Sequence, residues 1–410
     1  MLKVMSDSYS AALFVRKGLE LVLFPSFFSH MLSQTGVVYK LIETCDKNGF
    51  VTATLIEKEV DDVTINIIIN RMHTFLKWVE EYSLGSTYIS VATHHNLSSK
   101  ILNYYINDIL IVQKKVSEAA IQQHLMALNA YYNYLARAGF TNSKKLYVRP
   151  SLKSRARANG NPRTAVKYLT PEVRSLLCQN TKSIRDEILL RTGGELGLRS
   201  KENIGFLVND FYVGKKMYHG MLSLFQEMDG NPSQLNFEYY LQGIYTKSQR
   251  FSGGYSRWLY IHRDLLLRMR EYYEIERPQT NEDCFFVNSS PSNVGTPIAK
   301  NRATRVFTAA RAVVLEKQAA GLLPHDGQRL EAGHTGHVLR HSFGTDKFYQ
   351  FAEQYDIAID DVVPTSLIYL TVARLMGHNA ADRSAPMTTR IYIRSCHVKK
   401  QFEVGGSYEF

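Results

Sequence analysis

From residue 119 to residue 171 this chain holds no aspartate or glutamate, yet it holds nine cations: Arg137, Lys144, Lys145, Arg149, Lys153, Arg155, Arg157, Arg163 and Lys167. Like charges repel when crowded, so such a stretch belongs on a surface and cannot form the centre of a core. It splits the 410 residues into an earlier and a later half, each needing its own core. Two or three domains are expected at that length. Residues 150–162 are rich in Ser, Gly, Asn and Pro and read as a linker. The whole chain has 49 Lys and Arg against 38 Asp and Glu, a formal charge of +11. A polyanion is the natural partner for that balance, nucleic acid before a membrane surface. A solvated basic hinge is the competing reading.

Residues 1–58 give the weakest pattern. An apolar, aromatic patch at 18–28 precedes two short candidate strands at 37–42 and 50–56, around a turn at 46–49. From Asp61 the period becomes helical. Ile65, Ile68, Ile69, Met72, Phe75, Leu76 and Val79 form one apolar stripe, with Asp61 and Asp62 placed as cap and first-turn acid. Residues 98–112 predict a second helix. A third starts at Ser117, turns Ile121, Leu125, Leu128, Tyr132 and Leu135 toward a core, and stops at Gly139. Cys45, Cys178, Cys284 and Cys396 lie far apart with no C-x-x-C pair. That spacing argues against a zinc ribbon or a disulfide framework and for a reducing compartment, the cytoplasm. Arg16, Lys17 and Glu20 break the longer N-terminal apolar patch over 11–28, which has no small-residue cleavage site. Neither a signal peptide nor a membrane span is expected.

The later half opens with Thr170 as a helix cap and Pro171 in the first turn. A helix over about 184–192 runs into Gly197, Leu198 and Arg199, with Glu202 three residues on. Residues 204–213 and 237–245 are apolar and aromatic. A β-hairpin is expected next, with Tyr245, Thr246 and Lys247 before a turn at 252–254 and residues 256–261 after it. The other Lys and Arg of this hairpin are expected as phosphate contacts or surface charges. Then come an H-x-L-R-H box (His337, Arg340, His341), a G-H pair (Gly377, His378) and a T-T-x-x-Y box ending at Tyr392. These residue types suit one chemistry. A phosphodiester in transfer gathers charge on its non-bridging oxygens, which fixed donors must meet. Arginine stays charged and its planar fork can hold two oxygens. Imidazoles donate or carry protons near neutral pH, and a tyrosine hydroxyl can form a covalent intermediate.

The order of these boxes resembles the active-site signature of the tyrosine recombinase, or phage integrase, family. The resemblance covers about residues 60–400. It implies a multidomain, mainly α fold, in which an N-terminal extension (1–58) precedes a helical, SAM-like core DNA-binding domain (59–142). A basic linker (143–167) would lead to a mixed α+β catalytic domain (168–410) with a small antiparallel sheet. The domains would clamp double-stranded DNA, with the nine cations named above on its phosphates. Tyr392 would attack the scissile phosphate, leaving a 3′-phosphotyrosine and a free 5′-hydroxyl. Arg199 and Arg340 would hold the non-bridging oxygens with His378 as a third donor. His337 would take the phenol's proton, Lys247 would protonate the leaving oxygen, and His341 and Glu202 would support the site.

The phosphotyrosine conserves bond energy, so no cofactor is expected, and no carboxylate cluster suggests a two-metal site. The family's working form implies a homo-tetramer on a specific crossover site, passing through a Holliday junction, with the segment after Tyr392 docking between protomers. Integration or excision of a mobile element would be the outcome, in a nucleoid-associated setting, with an accessory DNA-bending or directionality protein as a further partner. A type IB topoisomerase-like relaxing enzyme shares this chemistry, and a catalytically silent DNA-binding protein would share the fold. The sequence departs from the family pattern in longer stretches at 214–236 and 350–364, and slightly at 382–386. His325 and His334, with Asp326, lack metal-ligand spacing and read as loop residues.

Overall fold

The computed structural model describes residues 1–6, 11–16, 18–45, 51–83, 89–160, 167–246, 254–323, 327–363, 365–378 and 395–402. These are mainly helical, and their strands pair two by two in antiparallel hairpins. The chain divides near residue 162 into two compact units. Among the described residues, no helix is long and apolar enough to cross a membrane.

In the first unit β1 (Leu2–Ser6) pairs with β2 (Ala11–Val15), and α1 (Leu23–Thr35) follows. β3 (Val37–Cys45) then pairs with β4 (Val51–Glu59), so the two strands expected there form and run longer than their apolar cores suggest. α2 (Asp62–Ser83) starts where Asp61 accepts a hydrogen bond from the Thr64 N–H at 2.7 Å. All seven residues of its expected stripe are buried. α3 (Ser99–Tyr104) continues as π-type turns over Tyr105–Gln113. α4 (Glu118–Arg137) stops as expected at Gly139, whose φ of +79° a side chain would resist. Ser117 has the extended backbone of a cap, but its side chain makes no capping bond. Helices and N-terminal hairpins share one core, centred on Phe14, Phe28, Phe75, Tyr105, Tyr131 and Tyr132.

The basic stretch is fastened to this bundle by two asparagines one helical turn apart. Asn103 donates to the Lys145 carbonyl at 2.9 Å and accepts from the Tyr147 N–H at 2.9 Å. Asn107 repeats the pattern one step on, donating to the Tyr147 carbonyl at 3.0 Å and accepting from the Arg149 N–H at 2.8 Å. Each side-chain amide acts as a short piece of sheet edge for the extended chain. Residues 150–158, read from sequence as linker, instead hold a 3-10 turn (Pro150–Leu152) and α5 (Lys153–Ala158). Ala156 is buried in the bundle core, and Asn159 closes the helix by donating to the Ile111 carbonyl at 2.9 Å. Small and polar residues here serve as contacts and caps, which composition cannot separate from a linker.

Arg137, Lys145, Arg149, Lys153, Arg155 and Arg157 are exposed on this unit. Lys144 is half-buried over the Tyr132 ring, and Lys167 is exposed at the start of the second unit. Arg163 lies outside the described residues. Arg149 and Arg157 are partly spent, pairing with Asp108 and Glu118.

The second unit begins with α6 (Pro171–Gln179), capped by Thr170, and α7 (Ile184–Glu195), capped by Ser183. The long stretch after Gly205 holds a small hairpin of β5 (Phe211–Val213) and β6 (Lys216–Tyr218), then α8 (Met221–Gly230). β7 (Asn236–Leu241) pairs with β8 (Arg257–His262), and α9 (Arg263–Glu271) follows. α10 (Arg302–Ala319), α11 (His337–Gln354) and α12 (Leu367–Leu375) complete the unit, with residues 395–402 also helical. Its main core holds Leu177, Ile188, Phe206, Phe237, Leu265 and Phe307, and a smaller one gathers Phe343, Phe348, Val372, Met376 and Cys396.

The hairpin differs from expectation. The partner of residues 257–262 is β7, not residues 245–247, because the chain leaves the ladder after Leu241 and enters a 3-10 turn at Gly243–Tyr245. Gly243 permits this: a Cβ there would lie 2.0 Å from the Gly254 carbonyl oxygen.

Replacing Asn107 with Ala removes the bonds that seat residues 147 and 149. The first unit should lose about 2 kcal/mol of stability, read by urea unfolding. Hydrogen exchange at Tyr147 and Arg149 should accelerate more than at Ile121.

Candidate active site

α7 and α11 approach closely because Gly193 has no side chain: a Cβ there would meet the Cβ of Leu339 at 3.2 Å. That contact sets the end of α7 beside the start of α11. Past Glu195 the chain turns at Gly197, with φ +65°, where a Cβ would strike the Phe343 ring at 2.5 Å. Arg199 follows and heads a 3-10 segment, Ser200–Gly205. Its backbone N–H donates to Glu202 Oε2 at 2.9 Å and its Nη1 to Oε1 at 2.8 Å.

Glu202 is fully buried and serves three guanidinium groups. Arg257, at the start of β8, donates from Nη2 to Oε2 at 2.7 Å and from Nη1 to Oε1 at 3.3 Å. Arg340 brings Nη1 within 3.7 Å of Oε2. Arg340 is 1% exposed and also donates to the carbonyls of Gly197 and Met376, with Nη2 3.3 Å from Nε2 of His378. A guanidinium has only donors, so His378 accepts through Nε2 and carries its proton on Nδ1. His378 itself is placed by the end of α12. Gly377 takes φ +62°, its N–H donates to the Arg374 carbonyl at 2.9 Å, and the His378 N–H donates to the Ala373 carbonyl at 2.8 Å.

Three cations on one carboxylate leave two positive charges in a buried place. Burial alone would raise the pKa of Glu202, but Arg257 above all, then Arg340 and Arg199, hold it at about 2. The imidazoles respond in the opposite sense. Burial, then Arg340, Arg199 and Arg257, push His378 down to about 3. Burial, then His337, Lys167 and Arg340, push His341 down to about 3. His337 is lowered by burial, then by Arg340, Arg199 and Lys167. His337 and His341 stand one turn apart on α11 with rings edge to face, centroids 4.7 Å apart. Arg199 and His337 line a cleft of about 170 Å³ with Ser200, Thr304 and Gly336. Such an arrangement can receive an anion on permanent cations and take a proton on a neutral imidazole.

Of the residues singled out in the sequence, Arg199, Glu202, His337, Arg340, His341 and His378 therefore meet in one place. The long interval between Arg340 and His378 does not part them. Lys247 and Tyr392 lie outside the described residues. The chain before Lys247 is tied to the 3-10 segment after Arg199 as far as Thr246, whose carbonyl accepts from Lys201 Nζ at 3.0 Å. Arg257 corrects the sequence reading, which left the hairpin's other cations to phosphates or the surface. A signal was present: Arg257 shares the inward register of β8 with Leu259 and Ile261, while Trp258, Tyr260 and His262 are exposed. His334 is a buried loop residue whose Nδ1 accepts from the Glu331 N–H at 2.9 Å. His325 and Asp326 lie outside the described residues.

No family model and no curated protein matches this sequence. Among solved structures the chain is similar to the XerH site-specific recombinase bound to difH substrate, at 16% identity and a TM-score of 0.49, over 83% of this chain and 80% of that one. It is similar to the Tn1549 transposon integrase in complex with a circular intermediate DNA, at 13% identity and 0.47, over 83% and 94%. It is also similar to a lambda integrase dimer bound to a COC′ core site, at 14% and 0.42, over 82% and 89%. What bears on chemistry is the side-chain cluster itself.

Glu202→Ala would strip two buried guanidiniums and the half-buried one of Arg199 of their shared partner, and should destabilise the second unit by about 3–5 kcal/mol in urea unfolding. Because the folded pKa of Glu202 lies below its ordinary 4.5, its contribution is complete above about pH 4.5 and is lost as pH falls toward 2. The unfolding midpoint of wild type should drop across that window more steeply than that of Glu202→Gln.

Proposed function

We propose that this protein is a DNA strand transferase of the tyrosine recombinase type, cutting and rejoining strands at a specific site. The observation that carries the reading is the convergence of Arg199, Arg340 and three histidines, drawn from sequence boxes up to 179 positions apart (378 − 199), around one over-compensated carboxylate. A site with two excess positive charges is matched to a phosphodiester that gains negative charge as it reacts.

In this reading the Tyr392 oxygen attacks the scissile phosphorus, forming the phosphotyrosyl bond as the bond to the 5′ oxygen breaks. The phenol ordinarily ionises near pKa 10 and needs a base at neutral pH. His337 is suited to that step because burial, and then the cations beside it, favour its neutral form. Arg199 and Arg340 neutralise the non-bridging oxygens, and His378, with its proton on Nδ1, supplies a third donor. Lys247 gives a proton to the departing 5′ oxygen. Religation by a 5′-hydroxyl from a second duplex reverses these steps, through a Holliday junction in a tetramer. The exposed cations from Arg137 to Arg157 meet the phosphate backbone, and their number makes affinity fall steeply with salt. No cofactor enters this scheme.

The test is covalent trapping. Duplexes that bind Tyr392→Phe are selected from a random pool, then nicked one nucleotide at a time to strand the intermediate. Wild type should form an SDS-resistant protein–DNA adduct, undiminished in EDTA, that Tyr392→Phe does not form. An adduct in the mutant would move the nucleophile elsewhere, and none from either protein on bound DNA would leave only a DNA-binding role.

A further inference from the structure

Arg257 has no place in the chemistry just described, yet it is the strongest partner of the carboxylate at its centre. It donates through both Nη atoms to both oxygens of Glu202, at 2.7 and 3.3 Å, whereas Arg199 reaches Oε1 through one side-chain nitrogen and Arg340 stands 3.7 Å off. It is 7% exposed, and its Nε is a buried donor with no acceptor among the described residues. A surface-type ion pair would not sit at an inward position of a strand between Leu241 across the ladder and Leu259 along it. A second contact points to its use. A Cβ added at Gly377 would lie 2.3 Å from Nη1 of Arg257 and 3.1 Å from its Cζ, so the guanidinium rests against the turn that presents His378.

We infer that Arg257 is a positioning residue of the site, which fixes Arg199 through Glu202 and His378 through Gly377 by one rigid guanidinium. This rests on the strand-transferase reading and adds to it a residue that does not touch the substrate. The physical requirement is plain. Left with Arg199 and Arg340 alone, Glu202 would draw both toward itself, and donors meant for a phosphate would be spent on a carboxylate. With two of its approaches filled by Arg257, Glu202 orients Arg199 without consuming it. The charge of Arg257 also offsets that of Glu202, so that the charges of Arg199 and Arg340 are both left over for the phosphate. Gly377 has its lack of a side chain for the same reason, over and above its positive φ: the backbone must come against the guanidinium face.

The experiment uses the full chain and the selected nicked duplex, measuring the dissociation constant, the rate of adduct formation at saturating protein, and the thermal midpoint. Arg257→Gln should slow adduct formation about 100-fold, as expected when reacting groups are displaced by about an ångström. Its dissociation constant should stay within about threefold of wild type, since phosphate contacts elsewhere dominate affinity. Arg257→Lys, which keeps the charge but not the fork, should recover part of the rate. Gly377→Ala leaves every ionised group in place, and should also slow the reaction at least about tenfold. In the Arg257→Ala background Gly377→Ala should lose most of that effect and keep only the cost of its positive φ, because the atoms it strikes are gone.

A wild-type rate in Arg257→Gln would overturn the inference, as would effects of the two substitutions that simply multiply. So would equal losses of binding and rate with a collapsed thermal midpoint in every variant, which would make Arg257 a structural ion pair only. If Arg257→Gln does not fold, Arg257→Lys and Gly377→Ala in the wild-type background decide, and wild-type rates in both would overturn the inference. Wild type that binds the duplex without any adduct would sink the strand-transferase reading itself, a result distinct from those.

Discussion

Taking a carboxylate and two guanidiniums out of water costs several kcal/mol per ion, and such a cluster persists only when its donors and acceptors are well matched. Glu202 is matched by four hydrogen bonds, two from Arg199 and two from Arg257. The other features of the site follow from that one constraint. The 3-10 segment after Arg199 must start where its backbone N–H meets Glu202, β8 must aim its first side chain inward, and α11 must run close enough to α7 for Arg340 to join them. Gly193 and Gly197 are the small residues that make this approach feasible. Arg340 extends the constraint further, since its bonds to the carbonyls of Gly197 and Met376 lock two turns that are far apart in sequence.

The same cluster sets the protonation of its neighbours. A carboxylate held near pKa 2 stays charged throughout the physiological range, and imidazoles pushed toward 3 stay neutral. Permanent cations and proton-accepting groups are thus kept on different residues. A histidine that was itself positive could not serve as a base, and an arginine could not be one at any accessible pH. Crowding the two types together lets the first enforce the state of the second.

Much of this was legible in the chain. The apolar stripe of α2, the stop at Gly139 and the Thr170–Pro171 start are local signals, and local signals survive folding because the helix itself satisfies them. The boxes around Arg199, Arg340 and His378 could be read because residue type and order are tied to a chemistry. What could not be read depends on contacts distant in sequence. Nothing near Arg257 announces Glu202, 55 positions away. The pairing of β7 with β8 turns on where the chain leaves the ladder, a matter settled by the close approach of Gly243 and Gly254. Composition misread residues 150–160, because serine, asparagine and glycine look alike whether they cap a helix or idle in a linker.

The two asparagines that seat the basic stretch have a consequence for its history. Asn103 and Asn107 hold residues 145, 147 and 149 entirely by their main-chain groups, which every amino acid but proline possesses in full. The Lys145 and Tyr147 side chains are not part of these bonds, whereas Arg149 adds an ion pair to Asp108. Lys145 can therefore be exchanged for other residues with little loss of fold, and Arg149 at the cost of one exposed ion pair. The surface offered to a partner can drift while the frame beneath it stays put.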